Sequence, residues 1–133
     1  MRNLILAVFI WLGTFGLATA QGAEIEDTIS QQIEAFKADD FQTAFTFASP
    51  SIQGMFRTPE NFGLMVRQGY PMVWRPAQVQ YLEMEERNGL LFQKVMITDA
   101  QGVVHILAYQ MVELENGWKI NGVTKLEQAG VNA

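Results

Sequence analysis

The fold is decided by residues 79–127, VQYLEMEERNGLLFQKVMITDAQGVVHILAYQMVELENGWKINGVTKLE. Asn88-Gly89 and Asn116-Gly117 are strong β-hairpin signals, because both residue types tolerate positive φ. Asp99-Ala100-Gln101-Gly102 predicts a third turn between them. Turns this short join antiparallel neighbours. We therefore expect a meander of four strands: Val79–Glu86, Leu90–Thr98, Val103–Glu115 and Trp118–Glu127.

Two-residue turns would also fix the register of these strands. A turn at Ala100-Gln101 places Met96 opposite His105, and the Asn-Gly turn before it brings Tyr81 beside Met96. One face then carries Tyr81, Phe92, Met96, His105, Leu107, Tyr109, Met111, Trp118 and Ile120. The other carries Leu82, Met84, Leu91, Val95, Ile97, Val104, Ile106, Ala108, Val112 and Val123. A slip of one residue would exchange faces.

Both predicted faces are apolar over the central strands, whereas a sheet with one hydrated face alternates apolar and polar residues. Helices can cover one face, and a second copy of the chain is the simplest cover for the other. We therefore expect a homodimer through the face that carries Val95, Ile97, Val104, Ile106 and Val112. The alternative is a monomer in which Lys119, Asn121 and Lys125 keep that face hydrated.

The segment before the strands has helical periodicity. Ile25, Ile29, Ile33 and Phe36 share one helical face. Four helical segments are predicted: Glu24–Lys37, a helix capped by Asp39 or Asp40 and ended by Ser49-Pro50, Ser51–Phe56, and a helix from Thr58-Pro59 to Gly69. The fold class is therefore α+β, with N-terminal helices packed on a curved antiparallel sheet of about four strands.

The first twenty residues have the order of a cleavable export signal. Arg2 supplies a positive charge, Leu4–Leu12 is apolar, and Ala18-Thr19-Ala20 is a small-x-small cleavage pattern. We predict a cut between Ala20 and Gln21, a periplasmic or secreted protein, and one domain over residues 21–133. The alternative, an uncleaved anchor, is disfavoured because the apolar run is shorter than the ~20 residues of a spanning helix.

Composition excludes several classes of function. The chain has no cysteine, which excludes disulfides, thiol catalysis and cysteine metal sites. Its net charge is −5 and its basic residues are scattered singly, so nucleic acid and anionic membrane surfaces are not expected partners. One histidine and dispersed carboxylates argue against a transition-metal site. No phosphate loop, dinucleotide fingerprint or nucleophile elbow occurs, and no cofactor is expected.

Helices followed by a curved sheet that ends in Gly117-Trp118-Lys119-Ile120-Asn121-Gly122-Val123 resemble the nuclear transport factor 2-like superfamily. That superfamily includes ketosteroid isomerases, scytalone dehydratase and polyketide cyclases. More narrowly, the chain resembles the uncharacterised bacterial family called domain of unknown function 4864. The other residues that carry the narrower resemblance are Ile33-Glu34-Ala35-Phe36, Ala44-Phe45, Ala48-Ser49-Pro50, Phe62, Met65-Val66 and Gly69-Tyr70.

The resemblance implies a cystatin-like cone, in which the sheet curls around a pocket closed by the helices. The Trp118–Ile120 face would line that pocket, and the opposite face would often form a dimer. One feature departs from the superfamily pattern. A full strand usually lies between the second and third helices, but here Ser51–Arg57 is short and contains Gly54. The pocket is then expected to be shallow or open on one side.

Candidate chemistry was sought on the pocket-lining face. Isomerase-type catalysis needs a carboxylate base and a tyrosine-centred oxyanion hole. Tyr81 and Tyr109 can donate, but the candidate carboxylates fall in predicted caps, turns and strand ends: Asp39, Asp40, Glu83, Asp99 and Glu113. Dehydratase-type chemistry needs a histidine acting with a carboxylate. No carboxylate is predicted opposite His105, the one histidine in the chain, although Glu or Asp from a helix could reach it.

The aromatic and methionine side chains of this face are the predicted ligand contacts: Tyr81, Phe92, Met96, His105, Tyr109 and Trp118. The alternative is that they are simply core. The apolar, proline-bounded connector Tyr70–Pro76 is a candidate lid or partner-binding segment through Tyr70 and Trp74. The alternative is that Trp74 caps the core where helices meet sheet.

Together these features favour a non-catalytic exported domain that binds a small apolar ligand or a protein partner. The first alternative is a cofactor-free isomerase, dehydratase or cyclase that uses Tyr109 and His105. It requires a pocket that holds histidine or tyrosine within ~3.2 Å of a carboxylate. The second alternative is a structural interaction module, which predicts no pocket and a large apolar surface patch.

Overall fold

The computed structural model describes residues 2–126, with side chains from residue 20 onward. In this part of the chain, helices precede a four-stranded antiparallel sheet, which confirms the α+β class and the meander. The helices are α1 (Arg2–Lys37), α2 (Phe41–Thr46), α3 (Pro50–Phe56), α4 (Pro59–Gly69) and α5 (Pro71–Trp74). The strands are β1 (Pro76–Arg87), β2 (Leu90–Asp99), β3 (Val104–Leu114) and β4 (Gly117–Leu126). They lie in the order β1-β2-β3-β4.

Helix α1 begins far earlier than predicted, at Arg2 rather than near Glu24. The intervening segment contains no proline, and its leucines and alanines are strong helix formers, so its scattered glycines do not end the helix. Cleavage between Ala20 and Gln21 stays a prediction. No helix in the described part of the chain is long and apolar enough to cross a membrane.

The helix starts follow the predicted caps. Asp40 accepts a hydrogen bond from the backbone N–H of Thr43, and Thr58 accepts one from Asn61 in front of Pro59. Ser49 does more than end α2, because its hydroxyl accepts from the backbone N–H of Ile52 and so begins α3. The short helix predicted over Ser51–Phe56 therefore forms, as part of α3.

A short stretch of backbone pairing joins the segment before α3 to β4. Ser49 N donates to Ile120 O at 2.8 Å, and Ile120 N donates to Phe47 O at 2.9 Å. The Ser49 hydroxyl also donates to the side-chain oxygen of Asn121 at 2.6 Å. These bonds tie the start of α3 to the free edge of β4.

The hairpin between β2 and β3 differs from the two-residue turn that the sequence suggested. Asp99 N donates to Val103 O, which leaves a three-residue loop, and Gly102 takes the left-handed φ of 87° that this loop needs. His105 therefore pairs with Ile97 rather than with Met96. This slip of one residue turns the side chains of β2 over relative to β3.

A bulge in β1 shifts the neighbouring register as well. The Asn88-Gly89 turn forms as predicted, with φ of 54° and 79°. Between Tyr81 and Met84 the pairing then slips, so that Tyr81 lies beside Val95 and not beside Met96. Tyr81 consequently stays on the same face as Tyr109, as predicted.

These two shifts and a third one between Gln110 and Met111 redistribute the predicted faces, and the third brings Val123 onto the inner face beside Tyr109. Val95 and Ile97 are fully buried against the helices, although they were predicted for the dimer face. Phe92 and Met96, predicted for the pocket face, lie on the opposite face with the apolar side chains of Ile106 and Val112. We call this the outer face, and its residues are not part of the helix–sheet core. A homodimer through it stays a prediction, without Val95 and Ile97.

The core lies between α1, α4, α5 and the inner face of the sheet. Its largest fully buried side chains include Tyr109, Phe36, Ile25, Ile29, Ile97 and Leu107. The α2–α4 contact within it is unusually close. A Cβ atom built on Gly63 would lie 2.6 Å from the Phe41 ring, nearer than side chains approach one another. Gly63 is therefore required by packing and not by its φ angle.

We expect Gly63→Ala to lower the free energy of unfolding by up to about 2 kcal/mol. The forced shift of Phe41 costs about 1–3 kcal/mol and outweighs the gain of about 1 kcal/mol from helix propensity. Gly54→Ala is the matched control, because its Cβ would meet nothing within 4 Å inside α3, and it should be neutral or slightly stabilising. Urea unfolding measures both. A Gly63→Ala variant as stable as Gly54→Ala would contradict the packing of Gly63 against Phe41.

Candidate functional site

A cavity of about 230 Å³ lies between the helices and the inner face of β3 and β4. Helices α1, α3, α4 and α5 and the middle of strands β3 and β4 supply an almost wholly apolar wall. Its lining residues are Gln32, Phe36, Ala48, Ile52, Met55, Phe56, Phe62, Met65, Val66, Tyr70, Val73, Tyr109, Ile120, Gly122 and Val123. None of these residues is charged. Met55 is 67% exposed, so the cavity opens to solvent past α3.

Aromatic packing fixes one wall of the cavity. The Phe62 ring lies with its centroid 5.8 Å from Phe36, 5.3 Å from Phe45 and 5.7 Å from Phe56. Tilted and edge-on rings at these separations attract one another beyond their burial. Phe62 lies one turn before Val66 on the buried side of α4. The N-cap at Thr58 fixes where α4 begins, and thereby places Phe62 in the first turns of the helix beside the cavity.

Only Gln32, Tyr70 and Tyr109 bring polar side-chain groups to the lining. Gln32 donates from its amide nitrogen to Ala44 O at 3.1 Å, and Tyr70 donates from its hydroxyl to Val123 O at 3.2 Å. The Tyr109 hydroxyl is buried and has no hydrogen-bond partner among the described residues. Tyr109 thus presents an unused donor.

Burial governs the protonation state of this group. Tyr109 is 0% exposed, and loss of hydration raises the pKa of its phenol far above the ordinary value. The hydroxyl therefore remains protonated at any physiological pH and can donate a hydrogen bond. An unpartnered buried hydroxyl costs about 1–3 kcal/mol. A ligand that offers an acceptor here would recover that free energy.

Of the six residues predicted to contact a ligand, Tyr109 alone lines this cavity. The Tyr81 hydroxyl is bound instead to Ser30 Oγ and to Glu26 O on α1. Trp118 is buried elsewhere in the core, where its indole N–H also lacks a partner among the described residues. Phe92 and Met96 lie on the outer face.

The predicted connector divides between two places. Tyr70 lines the cavity, as a lid residue would. Trp74 lies away from it, where its indole N–H donates to Asp39 Oδ1 at 2.9 Å and the Arg75 guanidinium stacks on its ring at 4.2 Å. Arg75 also donates to both Asp39 oxygens. Trp74 packs against the core, in agreement with the alternative role as its cap at the helix–sheet junction.

His105 has a carboxylate partner that the sequence analysis missed. Its Nε2 lies 2.9 Å from Asp99 Oδ2, while Asp99 Oδ1 accepts from the backbone N–H groups of Gln101 and Val103. The hydrogen bond from His105 is the largest cause that lowers the pKa of Asp99 below its ordinary value, and the two backbone donors lower it further. The three-residue loop brings these groups together, so only its correct length would have revealed the pair.

The Asp99–His105 pair does not belong to the apolar cavity. It borders a separate cleft of about 180 Å³ beside Trp74 and Arg75. The lining of that cleft contains no serine, threonine or cysteine that the pair could activate. Among the residues with described side chains, no group of three histidines or carboxylates is arranged to hold a metal ion.

Most residues of the cavity wall were not predicted as ligand contacts from the sequence. Phe62, Met65 and Val66 lie at helical spacing on one side of α4, and that pattern does not distinguish packing from the lining of a cavity. Gln32 gave a usable signal. It is a polar residue on the apolar stripe of α1, and it is only 3% exposed.

Residues 18–133 match the model of one protein family, described as Domain of unknown function (DUF4864). The chain belongs to this family. The match covers both the helices and the sheet, so the cavity and the Asp99–His105 pair lie within the matched region. No curated protein and no solved structure matches the chain. In this DUF4864 domain, the apolar cavity and the cleft beside Asp99 and His105 are the two candidate sites.

Two tyrosine substitutions on one sheet face should have opposite effects on stability. Tyr109→Phe removes no hydrogen bond to a described residue and relieves a buried hydroxyl, so it should raise the free energy of unfolding by up to about 1 kcal/mol. Tyr81→Phe breaks the bonds to α1 and should lower it by about 1–2 kcal/mol. Thermal or urea unfolding measures both. Equal destabilisation by the two would contradict an unsatisfied hydroxyl at Tyr109.

Asp99→Asn should destabilise the protein in a pH-dependent way. The folded state lowers the pKa of Asp99 below 3.8, so its charge stabilises the fold above that pH. This contribution is lost as the pH falls through the folded-state value. Urea midpoints of the native protein and the variant should therefore differ near pH 7 and converge below about pH 4. Glu115→Gln, at an exposed turn, is the control; a gap independent of pH would refute the assignment.

Proposed function

We propose that this chain is an exported, non-catalytic domain that binds one small, mostly apolar ligand carrying a hydrogen-bond acceptor. The observation that carries the proposal is Tyr109, which lines the apolar cavity and whose buried hydroxyl has no partner among the described residues. Binding sites combine apolar walls with a few placed polar groups. A core that needed only to pack would be better served by phenylalanine at this position.

The volume of the cavity limits the ligand. About 230 Å³ is below the ~300–1,000 Å³ typical of sites for drug-sized molecules. A compact ring or a short chain fits this range better than a steroid-sized molecule. Burial of apolar area stabilises such a complex by roughly 25 cal/mol per Å² removed from water. The acceptor would then fix the orientation through Tyr109.

Binding is favoured over catalysis by the chemistry of the wall. The isomerase and dehydratase alternatives need a carboxylate or histidine beside the substrate. The lining is uncharged, and the Asp99–His105 pair borders a different cleft. Tyr109 can orient a ligand oxygen, but as a strongly protonated phenol it is a poor base.

Two further parts of the proposal concern the fold and the compartment. The nuclear transport factor 2-like cone is supported by helices that roof a cavity over β3 and β4, with the edge pairing of Ser49 and Ile120 as a reduced strand. Export is supported by Arg2, the apolar run and Ala18-Thr19-Ala20.

Native mass spectrometry of the protein purified from the bacterial periplasm tests export and binding together. We expect a polypeptide of residues 21–133, and a fraction that carries a small ligand. Calorimetric titration with 2-octanone, an apolar ketone, then tests the cavity directly. Tyr109→Phe should weaken its binding about five- to tenfold, equivalent to about 1–1.4 kcal/mol for the lost hydrogen bond.

A cavity-filling pair of variants supplies the control. Ile52→Trp places a large ring on the cavity wall and should abolish binding of 2-octanone. Leu64→Trp adds the same ring to an exposed position of α4, outside the lining, and should leave binding unchanged. Binding that survives Ile52→Trp would refute the cavity as the site. A secreted species that retains Met1–Ala20 would refute cleavage.

A further inference from the structure

A cation stands at the rim of the apolar cavity. Lys125 and Val123 lie on the same face of β4, paired with Leu107 and Tyr109 of β3. Val123 lines the cavity, and Lys125 is the next side chain on that face, about 7 Å further along the strand and outside the lining. The Lys125 ammonium lies 4.7 Å from the centre of the Tyr70 ring, and Tyr70 also lines the cavity.

The Lys125 ammonium differs from the other three lysines in what it contacts. Lys37 and Lys94 pair with glutamates, and Lys119 donates to Thr46 O. Within the part of the chain that the structure describes, Lys125 contacts the Tyr70 ring and forms no ion pair. The chain has a net charge of −5, and no carboxylate of the described residues pairs with Lys125, so its ammonium is available to an anion from outside.

The Tyr70 ring also positions this cation. An ammonium over the face of an aromatic ring is attracted by the ring quadrupole, by about 0.5–1 kcal/mol at exposed sites. Tyr70 is itself held, because its hydroxyl donates to Val123 O. The long lysine side chain is therefore biased toward the cavity mouth, which lowers the entropy lost when it pairs with a ligand.

We propose that the ligand is a small apolar carboxylic acid, with its carboxylate on Lys125 at the rim and an oxygen acceptor on Tyr109 inside. This inference rests on the proposed binding function and names its ligand class. The opposite orientation is disfavoured, because an ionised carboxylate beside Tyr109 would be buried with one hydroxyl donor and no counter-charge. At the rim the carboxylate keeps part of its hydration and gains the ion pair.

The matched probes 7-oxooctanoate and 2-octanone test the charge. Both have eight carbons and a methyl ketone, and only the first ends in a carboxylate. At about 0.01 M ionic strength, where the Debye length is about 30 Å, the native protein should bind the acid about three- to tenfold more tightly, as expected for a partly exposed ion pair. Screening near 0.15 M salt should reduce the difference.

Lys125→Met should remove the preference for the acid and leave the affinity for 2-octanone within about twofold, since only the charge is lost. Lys125→Arg should retain the preference. Lys37→Met is the matched control, because Lys37 pairs with Glu34 on the far side of α1, and it should change neither affinity. Calorimetric titration measures all four proteins.

The outcomes separate this inference from the proposed function. If both probes bind equally, or if Lys125→Met keeps the preference for the acid, the role of Lys125 is refuted while the apolar site stands. If neither probe binds the native protein, both proposals fall. If the acid binds Ile52→Trp as tightly as the native protein, the carboxylate is held away from the cavity and the inference is likewise refuted.

Discussion

The length of the loop Ala100–Gly102 determines which side chains of β2 and β3 face the core of the protein. Asp99 holds the loop at three residues, because one carboxylate oxygen accepts from the N–H groups of Gln101 and Val103 and the other binds His105. Side chains alternate between the faces of a strand, so one loop residue more or fewer would turn β2 over relative to β3. The observed length sends Val95 and Ile97 into the core and leaves Phe92 and Met96 on the outer face.

The cavity follows from what the helices can reach on that inner face. Helix α3 has only seven residues and none of them is buried, so it roofs the space over β3 and β4 without filling it. Its start is tied to the edge of β4 by Ser49, which bonds both Ile120 and Asn121. The side chains of Ile52 and Phe56 on α3 are therefore half-exposed, while Phe62 is buried against the rings of Phe36, Phe45 and Phe56.

The helices and strands could be predicted because their starts and turns depend on a few adjacent residues, whereas the site could not. The caps at Asp40 and Thr58 and the turn at Asn88-Gly89 depend on a few adjacent residues, and the structure confirms them. The register of β2 against β3 depends on the hydrogen bonds that the Asp99 side chain accepts from the backbone of its loop. Counting turn residues in the sequence does not reveal these bonds. The cavity was equally hidden, since the apolar stripe of α4 has the same periodicity whether it packs tightly or borders a space.

The two tyrosines of the inner face show why the cavity is more than imperfect packing. Tyr81 lies on the edge strand β1, where α1 offers its hydroxyl both Ser30 and the carbonyl of Glu26. Tyr109 lies on the central strand β3, and no described group of the helices above it accepts its hydrogen. Phenylalanine would occupy the same space without that penalty. A hydroxyl at such a position is explained if a ligand brings its acceptor. The Lys125 ammonium beside Tyr70 would favour a ligand that also carries a carboxylate.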